Sequence, residues 1–292
     1  MKTIVITTAR GRHQHLRQQL RGLGRCTKKP DAHLVVAMDD PAIASCIGGT
    51  DCDATAIVFD TDSREVPVAA ARNAGAETAI AQGADMLIFL DVDCIPDRDM
   101  IAGYCHAAAN ERHSDALLCG PVSYLPPPPA GGYDLETLSG LAPPHPARPA
   151  PPFGKVLDST DYQLFWSLSF AVTASTWQRI GGFHTGYVGY GAEDTDFAQL
   201  AAAVSVPLCW VGGARAFHQY HSVADPPAEH LDEIVANARL FYQRWGWWPM
   251  SGWLRAFADA RLVRWDATTL EALDANDCVT SARSARAAGD QT

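Results

Sequence analysis

The chain has 292 residues and a mass of 31.4 kDa, of which 47% are hydrophobic and 19% are charged. These values are typical of a folded globular chain and exclude a wholly disordered or fibrous one. Its 23 basic and 33 acidic residues give a net charge of −10, which argues against a general binder of nucleic acid or anionic membranes. We expect no transmembrane segment, although peripheral association with a membrane through a partner stays open.

The cysteines and the first residues bear on location. None of the eight cysteines forms a C-x-x-C pair, so we expect reduced thiols rather than a zinc ribbon or a disulfide scaffold. The apolar run Ile4–Ile6 is too short for the core of a secretory signal. Both observations predict a cytoplasmic protein.

The first half of the chain alternates strand-like and helix-like segments. Apolar, β-branched runs predict strands at Thr3–Thr8, Leu34–Met38, Ala56–Phe59 and Met86–Leu90, and helical spacing predicts helices at His13–Leu23, Val68–Gln82 and Asp97–Asn110. Gly83 is a plausible left-handed residue after the second helix. The alternation predicts an α/β fold with a mostly parallel, Rossmann-like central sheet and helices on both faces. Ligands of such sheets bind beyond the carboxyl ends of the strands.

Residues 121–152 contain 11 of the 19 prolines and are predicted to form a long, partly extended loop, neither regular helix nor central strand. This loop is either a surface excursion or a lid or acceptor-side wall. After it, we predict strands at Leu168–Thr173, Leu208–Val211 and Ala214–Phe217, and helices at Thr176–Ile180 (capped by Ser175), Glu193–Ala203 and Glu229–Trp245. The predicted organisation is a domain over residues 1–225, a helical extension over 226–280 and a flexible tail over 281–292.

The D-x-D pattern occurs five times, and only one copy has an informative context. Asp91–Val92–Asp93 directly follows the fully apolar run Leu87–Leu90, so its carboxylates stand at the end of a buried strand. Two carboxylates there can hold a divalent cation. The alternative is an acidic turn that caps the next helix.

Three further groups of residues can carry chemistry, each with a structural alternative. Glu193, Asp194 and Asp196 open a predicted helix, where acids also favour the helix dipole; Tyr187 and Tyr190 in the glycine-rich turn before them suit packing against sugar rings. His218 or His221 can complete a metal site or be merely structural. Arg10 and Arg12 can bind phosphate or form a solvated turn.

These motifs, in this order, resemble the inverting glycosyltransferases of the GT-A fold, above all the beta-1,4-galactosyltransferase type and the related family-two enzymes. The matching segments are Thr8–Leu16, Ala71–Gly75, Phe89–Pro96, Ile180–Phe183, Gly189–Asp196 and Phe217–Gln219. The resemblance covers roughly residues 3–221 and leaves the proline-rich loop and the C-terminal seventy residues uncovered.

The resemblance implies a role for each matched position. The donor nucleotide and its phosphates would contact Thr8, Arg10, Arg12, Asp39, Arg72, Asp91 and Val92. Asp93 and His218 would bind the metal, Glu193 and Tyr190 would bind the acceptor, and Asp194 would be the catalytic base. Two departures stand out: Arg215 occupies the position of a methionine metal ligand, and Tyr190 replaces a tryptophan of a mobile loop.

The resemblance therefore implies a metal-dependent inverting glycosyltransferase that moves a hexose from a nucleoside-diphosphate donor, expected to be UDP-linked, to an acceptor hydroxyl on a glycan or another molecule. Mn²⁺ or Mg²⁺ would be the cofactor. Two alternatives stay open. One is a sugar nucleotidyltransferase, although the chain lacks a G-x-G-x-x-G or P-loop glycine pattern. The other is a non-catalytic carbohydrate-binding protein on the same fold.

Overall fold

The computed structural model describes residues 1–48, 53–61, 66–222 and 224–273. The chain divides into two compact units, the first made of residues 1–185 and 193–221 and the second of residues 186–192 and those from 222 onward. The domain boundary predicted at residue 225 stays a prediction. The tail predicted over 281–292 and residues 274–280 of the predicted extension lie outside the described residues.

The first unit contains a central eight-stranded sheet. Its strands are β1 (Thr3–Ala9), β2 (Ala32–Met38), β3 (Ala54–Phe59), β4 (Met86–Leu90), β6 (Leu117–Cys119), β8 (Val156–Ser159), β9 (Ser169–Thr173) and β10 (Leu208–Val211). They lie in the order β3-β2-β1-β4-β9-β6-β10-β8. All are parallel except β8 and β9, which run against their neighbours. The mostly parallel sheet predicted from the sequence is confirmed, and the carboxyl ends of six strands therefore lie at one edge.

The described residues of this unit form seven α-helices: α1 (His13–Leu23), α2 (Ile43–Ile47), α3 (Val68–Ala81), α4 (Met100–Ala108), α5 (Leu138–Leu141), α6 (Ala174–Ile180) and α7 (Glu193–Ala203). Alternate residues of β1 point into two separate apolar clusters, one containing Val5 with Leu16 of α1 and the other containing Ile6 with Ala76 of α3. Helices therefore cover both faces of the sheet. A Cβ on Gly75 would lie 2.5 Å from Ile6, so this close approach of α3 requires glycine.

A second, three-stranded sheet joins distant parts of the first unit. It contains β5 (Cys94–Pro96), β11 (Ala216–His218) and β7 (Val122–Tyr124), with β11 in the middle. β11 runs antiparallel to β5, with His218 opposite Cys94, and parallel to β7, with His218 opposite Tyr124. Because β5 begins just after Asp93, this pairing brings the acidic turn beside His218.

The proline-rich segment contains the short strand β7, which is an edge strand and so agrees with the prediction of no central strand. It also contains the single turn α5, which lies in a stretch without proline and is not predicted from the sequence. Two further local predictions are wrong. Helix α6 is capped by Thr173 rather than by Ser175, since the Thr173 side chain accepts the N–H of Thr176 at 3.2 Å. The helix predicted from Asp97 begins at Met100.

The second unit contains α8 (Leu231–Trp245), α9 (Ser251–Asp259) and the antiparallel hairpin β12 (Val263–Trp265) and β13 (Leu270–Ala272). Ile234 and Ala238 of α8 pack with Leu254 and Phe257 of α9 in one apolar cluster. No helix in the described part of the chain has the length and apolar character needed to span a bilayer.

The glycine-rich loop 186–192 is held by α8. The amide of Asn237 donates to the carbonyls of Val188 at 3.0 Å and Tyr190 at 3.2 Å, and the carboxylate of Glu233 accepts the N–H of Tyr190 at 2.8 Å. Asn237 is only 3% exposed. This loop therefore has a defined backbone conformation within the second unit.

Candidate functional site

One carboxylate and two imidazoles converge at the start of β5. Oδ2 of Asp93 lies 3.4 Å from Nε2 of His218 and 3.5 Å from Nε2 of His221. Each of the three side chains offers one ligand atom, and these atoms all lie within 4.8 Å of one another. The three side chains are mostly buried but retain some exposure, between 12% and 20%. The sequence left open which histidine belongs to the site, and the fold brings both to Asp93.

This triad is chemically suited to a divalent transition ion. Separations near 3.5 Å are close to those between neighbouring ligands bound about 2.1 Å from one metal. Imidazole and carboxylate together suit Mn²⁺ and its neighbours, whereas Mg²⁺ is usually held by oxygen ligands alone. Burial alone would raise the pKa of Asp93, but hydrogen bonds and charges from His218 and His221 hold it well below its usual range. Asp93 is therefore anionic at neutral pH.

Backbone contacts fix the acidic turn in front of the triad. The buried amide of Gln19, on α1, donates to the carbonyl of Asp91 at 2.6 Å and to that of Cys94 at 3.0 Å. Gln219 donates its N–H to the carbonyl of Asp93 at 2.7 Å. Sequence reasoning missed Gln19, because a glutamine on the apolar side of a helix has no distinguishing pattern.

Arg72 joins the acidic turn to the start of α7. Its Nη2 donates to Asp91 Oδ1 at 2.9 Å and its Nη1 donates to Glu193 Oε1 at 3.1 Å. The Arg72 side chain is 5% exposed, so this is a buried ion-pair network. Burial would lower the pKa of Arg72, but Asp91 and Glu193 raise it above its usual value. The guanidinium therefore stays charged and links two motifs that are far apart in sequence.

The neighbouring residue Asn73 holds the glycine-rich segment after α6. Its side-chain amide donates to the carbonyl of Phe183 at 2.8 Å, and its Oδ1 accepts the N–H of Phe183 at 2.9 Å. The Arg72 guanidinium lies over the Phe183 ring, 5.1 Å from its centroid. The matched segments Ala71–Gly75 and Ile180–Phe183 are thus in direct contact through Asn73 and Phe183.

Asp194 lies in the first turn of α7, next to Glu193. Burial raises the pKa of Asp194 to about 7, and the charge of Glu193 adds to the rise, against the lowering effect of the hydrogen bond from the Thr195 N–H and the charge of Arg72. The Thr195 N–H donates to Asp194 Oδ1 at 2.6 Å. A carboxyl with a pKa near 7 can take a proton at neutral pH, as a general base must.

The side chains predicted to bind the donor lie mostly at the carboxyl edge of the sheet. Thr8 is near the end of β1, Arg10 and Arg12 follow it, and Asp39 follows β2. Arg10 Nη1 lies 4.0 Å from Asp39 Oδ2, and Asp39 also accepts the N–H of Thr61 at 2.8 Å. Val92 lies between the two carboxylates of the acidic turn. Their binding roles stay predictions.

Tyr190 and Arg215 each make contacts of their own. Tyr190 belongs to the second unit, where its ring stacks on His230 at a centroid distance of 4.8 Å. Arg215, at the position where the resembling family has a methionine ligand, donates to Ser123 Oγ at 2.6 Å and to the carbonyl of Ala142. These hydrogen bonds connect Arg215 to the proline-rich segment.

A second group of potential ligands is formed by His113, Asp158 and Cys209. Burial raises the pKa of the Cys209 thiol to about 12, and Asp158 is already paired with Arg112 at 2.5 Å. A protonated thiol and a neutralised carboxylate make this group a weaker cation site than the Asp93 triad.

Comparisons with known proteins show what this chain is similar to. Residues 153–222 match the family described as the N-terminal domain of galactosyltransferase. The chain is 26% identical over 233 residues to validoxylamine A glucosyltransferase of Streptomyces hygroscopicus subsp. limoneus. That match covers 70% of this chain and 49% of the relative, so the chain spans about half the length of the curated relative.

Two solved structures show the same fold. GalNAc-T7, crystallised with UDP, GalNAc and Mn²⁺, gives a TM-score of 0.56 at 16% identity over 76% of this chain and 44% of that one. S. aureus TarS residues 1–349, in complex with UDP-GlcNAc, gives a TM-score of 0.55 at 11% identity over 89% of this chain and 80% of that one. The chain therefore has the GT-A fold, and its residues 153–222 are similar to the N-terminal domain of galactosyltransferase.

Proposed function

We propose that this chain transfers a hexose from a UDP-linked donor to an acceptor hydroxyl, with a divalent metal and with inversion at the anomeric carbon. One observation carries the proposal: the Asp93, His218 and His221 triad adjoins Asp91, which Arg72 ties to the start of the helix that bears Asp194. The solved structures support the choice of donor, because GalNAc-T7 and TarS were crystallised with UDP or a UDP-sugar.

Asp93, His218 and His221 would hold the metal, and their mixed oxygen and nitrogen atoms favour Mn²⁺ over Mg²⁺. Bound there, a divalent ion would supply a positive charge that stabilises the departing nucleoside diphosphate. Arg10 and Arg12, which follow β1, would contact the phosphates as planar hydrogen-bond donors. Asp39 would meet the ribose or base at the end of β2, and Thr8 and Val92 would line the same side.

Asp194 would act as the general base. As the acceptor oxygen forms its bond to the anomeric carbon, the bond from that carbon to the phosphate oxygen breaks, and the acceptor proton passes to the Asp194 carboxylate. Attack opposite the leaving group inverts the centre, so a single base is enough. The pKa of about 7 makes Asp194 an adequate proton acceptor at neutral pH.

Glu193 and Tyr190 would bind the acceptor. Glu193 Oε1 is engaged by Arg72, which fixes the orientation of the carboxylate and leaves its other oxygen to meet acceptor hydroxyls. Tyr190 is 38% exposed and offers ring surface to a sugar. Asn237 and Glu233 fix the backbone on which that ring is carried.

The proposal is tested by following UDP release and glycoside formation from a panel of UDP-sugars and sugar acceptors. We expect Asp194→Asn to lose transfer by at least about a hundredfold, the contribution typical of a general base, while retaining Mn²⁺-dependent UDP binding. Glu111→Gln, at an exposed carboxylate, is the matched control and should transfer normally. Full transfer by Asp194→Asn would remove this residue from the role. Release of pyrophosphate from a nucleoside triphosphate would instead indicate a nucleotidyltransferase.

A further inference from the structure

Arg148 is a buried cation without a counter-ion in the described part of the chain. The residue is 6% exposed, and its Nε and Nη2 atoms are enclosed without a hydrogen-bond partner. Its backbone N–H donates to the carbonyl of His145 at 3.2 Å, so the proline-rich segment places it in a fixed position. Burying a charge without a partner destabilises the fold, because the lost hydration is not replaced.

Aromatic rings surround the guanidinium. Its Cζ atom lies 4.3 Å from the centroid of Trp166 and 5.8 Å from that of Trp210. Cation–π contacts with these rings offset part of the cost of burying the charge. The indole Nε1 of Trp210 is also enclosed and without a partner. The cluster thus holds three enclosed donor nitrogens, and no acceptor among the described residues satisfies them.

This cluster adjoins the metal triad. The Tyr124 ring stacks on His218 at 4.7 Å, His145 contacts Tyr124 at 5.4 Å, and His145 also contacts Trp166 at 5.1 Å. An unbroken series of ring contacts therefore leads from a triad histidine to the aromatic platform under Arg148. Trp210 is in β10, whose carboxyl end lies at the same sheet edge as Asp91.

We propose that Arg148, with Trp166 and Trp210, forms a binding subsite for an oxyanion, a phosphate or carboxylate group carried by one of the two substrates. Two of its unpaired nitrogens, Nε and Nη2, match the fork that a guanidinium offers to two oxygens of one anion. The inference rests on the proposed function only in naming a substrate as the carrier of the anion. The two sources are the diphosphate of the donor and an acidic group on the acceptor.

The test begins with inorganic phosphate and pyrophosphate titrated calorimetrically into the metal-free full chain in the presence of EDTA. We expect the wild type to bind one of them and its melting temperature to rise with the anion concentration, because a ligand of the native state stabilises it. Arg148→Met should weaken binding at least about tenfold. Arg148→Lys, which keeps the charge but loses the fork, should weaken it to a smaller extent. Arg112→Met, at a 73% exposed side chain, is the control and should bind as the wild type does.

A second arm identifies the source of the anion by titrating UDP in the presence of Mn²⁺. A parallel loss of UDP affinity in Arg148→Met assigns the subsite to the donor diphosphate. Unchanged UDP affinity with lost phosphate binding assigns it to an acidic group of the acceptor. If Arg148→Met does not fold, two other measurements test the proposal. These are the phosphate affinity of Arg148→Lys and the rise of the wild-type melting temperature with anion concentration.

Two results would overturn the proposal: a wild type that binds neither phosphate nor pyrophosphate, or an Arg148→Met variant that binds them equally well. Arg148 would then be a structural cation–π residue. Mn²⁺-dependent UDP binding that persists in either case leaves the proposed function standing. Phosphate binding at Arg148 without any UDP binding would contradict the proposed function and not this inference.

Discussion

Arg72 and Glu193 form an ion pair of 3.1 Å between Nη1 and Oε1, and the same guanidinium holds Asp91 at 2.9 Å. The pair joins α3 to the first turn of α7, and the second contact joins both to the acidic turn after β4. One buried cation therefore sets the positions of two carboxylates from different parts of the chain.

Replacement of Arg72 by Met should destabilise the fold. It would leave Asp91 and Glu193 as neighbouring carboxylates without their cation, and breaking a buried ion pair in this way costs about 3–5 kcal/mol. The free energy of unfolding, measured with urea, checks the effect. Arg179→Met is the control, because its pair with Asp115 is exposed and should be worth less than about 1 kcal/mol. Equal stability of the two variants would contradict the network.

Activity should depend on pH through Asp194. Because its pKa is raised to about 7 by burial and by Glu193, the carboxylate form is lost as the pH falls below 7, and the rate of transfer should fall tenfold per pH unit there. The pH profile of kcat/KM measures this. A rate that stays constant between pH 7 and pH 5 would exclude Asp194 as the base.

The same carboxyl should affect stability in the opposite sense. Its pKa is about 7 in the folded chain and about 3.9 in an unfolded one, so the folded state holds the proton more tightly between these values. The contribution is fully present below about pH 4 and is lost as the pH rises to 7. Relative to Asp194→Asn, the wild type should lose unfolding free energy between pH 5 and pH 8. A constant difference between the two proteins across that range would contradict the raised pKa.

Both histidines of the triad should contribute to metal affinity. His218→Ala and His221→Ala should each weaken Mn²⁺ binding by more than about tenfold, since each removes one of three ligands. The amount of free Mn²⁺, measured by electron paramagnetic resonance, reports the affinity. His106→Ala, at an exposed position on α4, should bind Mn²⁺ as the wild type does. A His221→Ala variant with unchanged affinity would leave His218 as the single histidine ligand.

Gly182 and Gly181 provide a matched pair for the contact with Asn73. Both have positive φ, +80° and +95°, so alanine is strained at either position. At Gly182 an added Cβ would also lie 2.9 Å from Asn73 Oδ1, whereas at Gly181 it would meet nothing within 4 Å. Gly182→Ala should therefore be less stable than Gly181→Ala by about 1–3 kcal/mol, the cost of disturbing a partly buried hydrogen-bonded group. Equal melting temperatures would show that disturbing the hydrogen bonds between Asn73 and Phe183 does not lower the stability of the fold.

The sequence predicts the parallel half of the fold well, because β1, β2 and β4 are buried on both faces and appear as continuous apolar runs. The short strands β5 and β7 escape prediction, since three residues give no periodic pattern, and the pairing of β11, whose strand is predicted at Ala214–Phe217, is set by tertiary contacts. The acidic turn is recognisable because it follows such a run. The roles of Gln19 and Arg148 cannot be recognised in the sequence, since neither residue type has a sequence signature when it is buried.

The central claim is that Asp93, His218 and His221 form a metal site that binds a nucleotide donor. Calorimetric titration of UDP into the full chain, with Mn²⁺ and with EDTA, tests it most directly. We predict binding with Mn²⁺, a loss of binding with EDTA or in Asp93→Ala, and retained binding in Asp194→Asn. UDP affinity that is indifferent to both Mn²⁺ and Asp93→Ala would contradict the account.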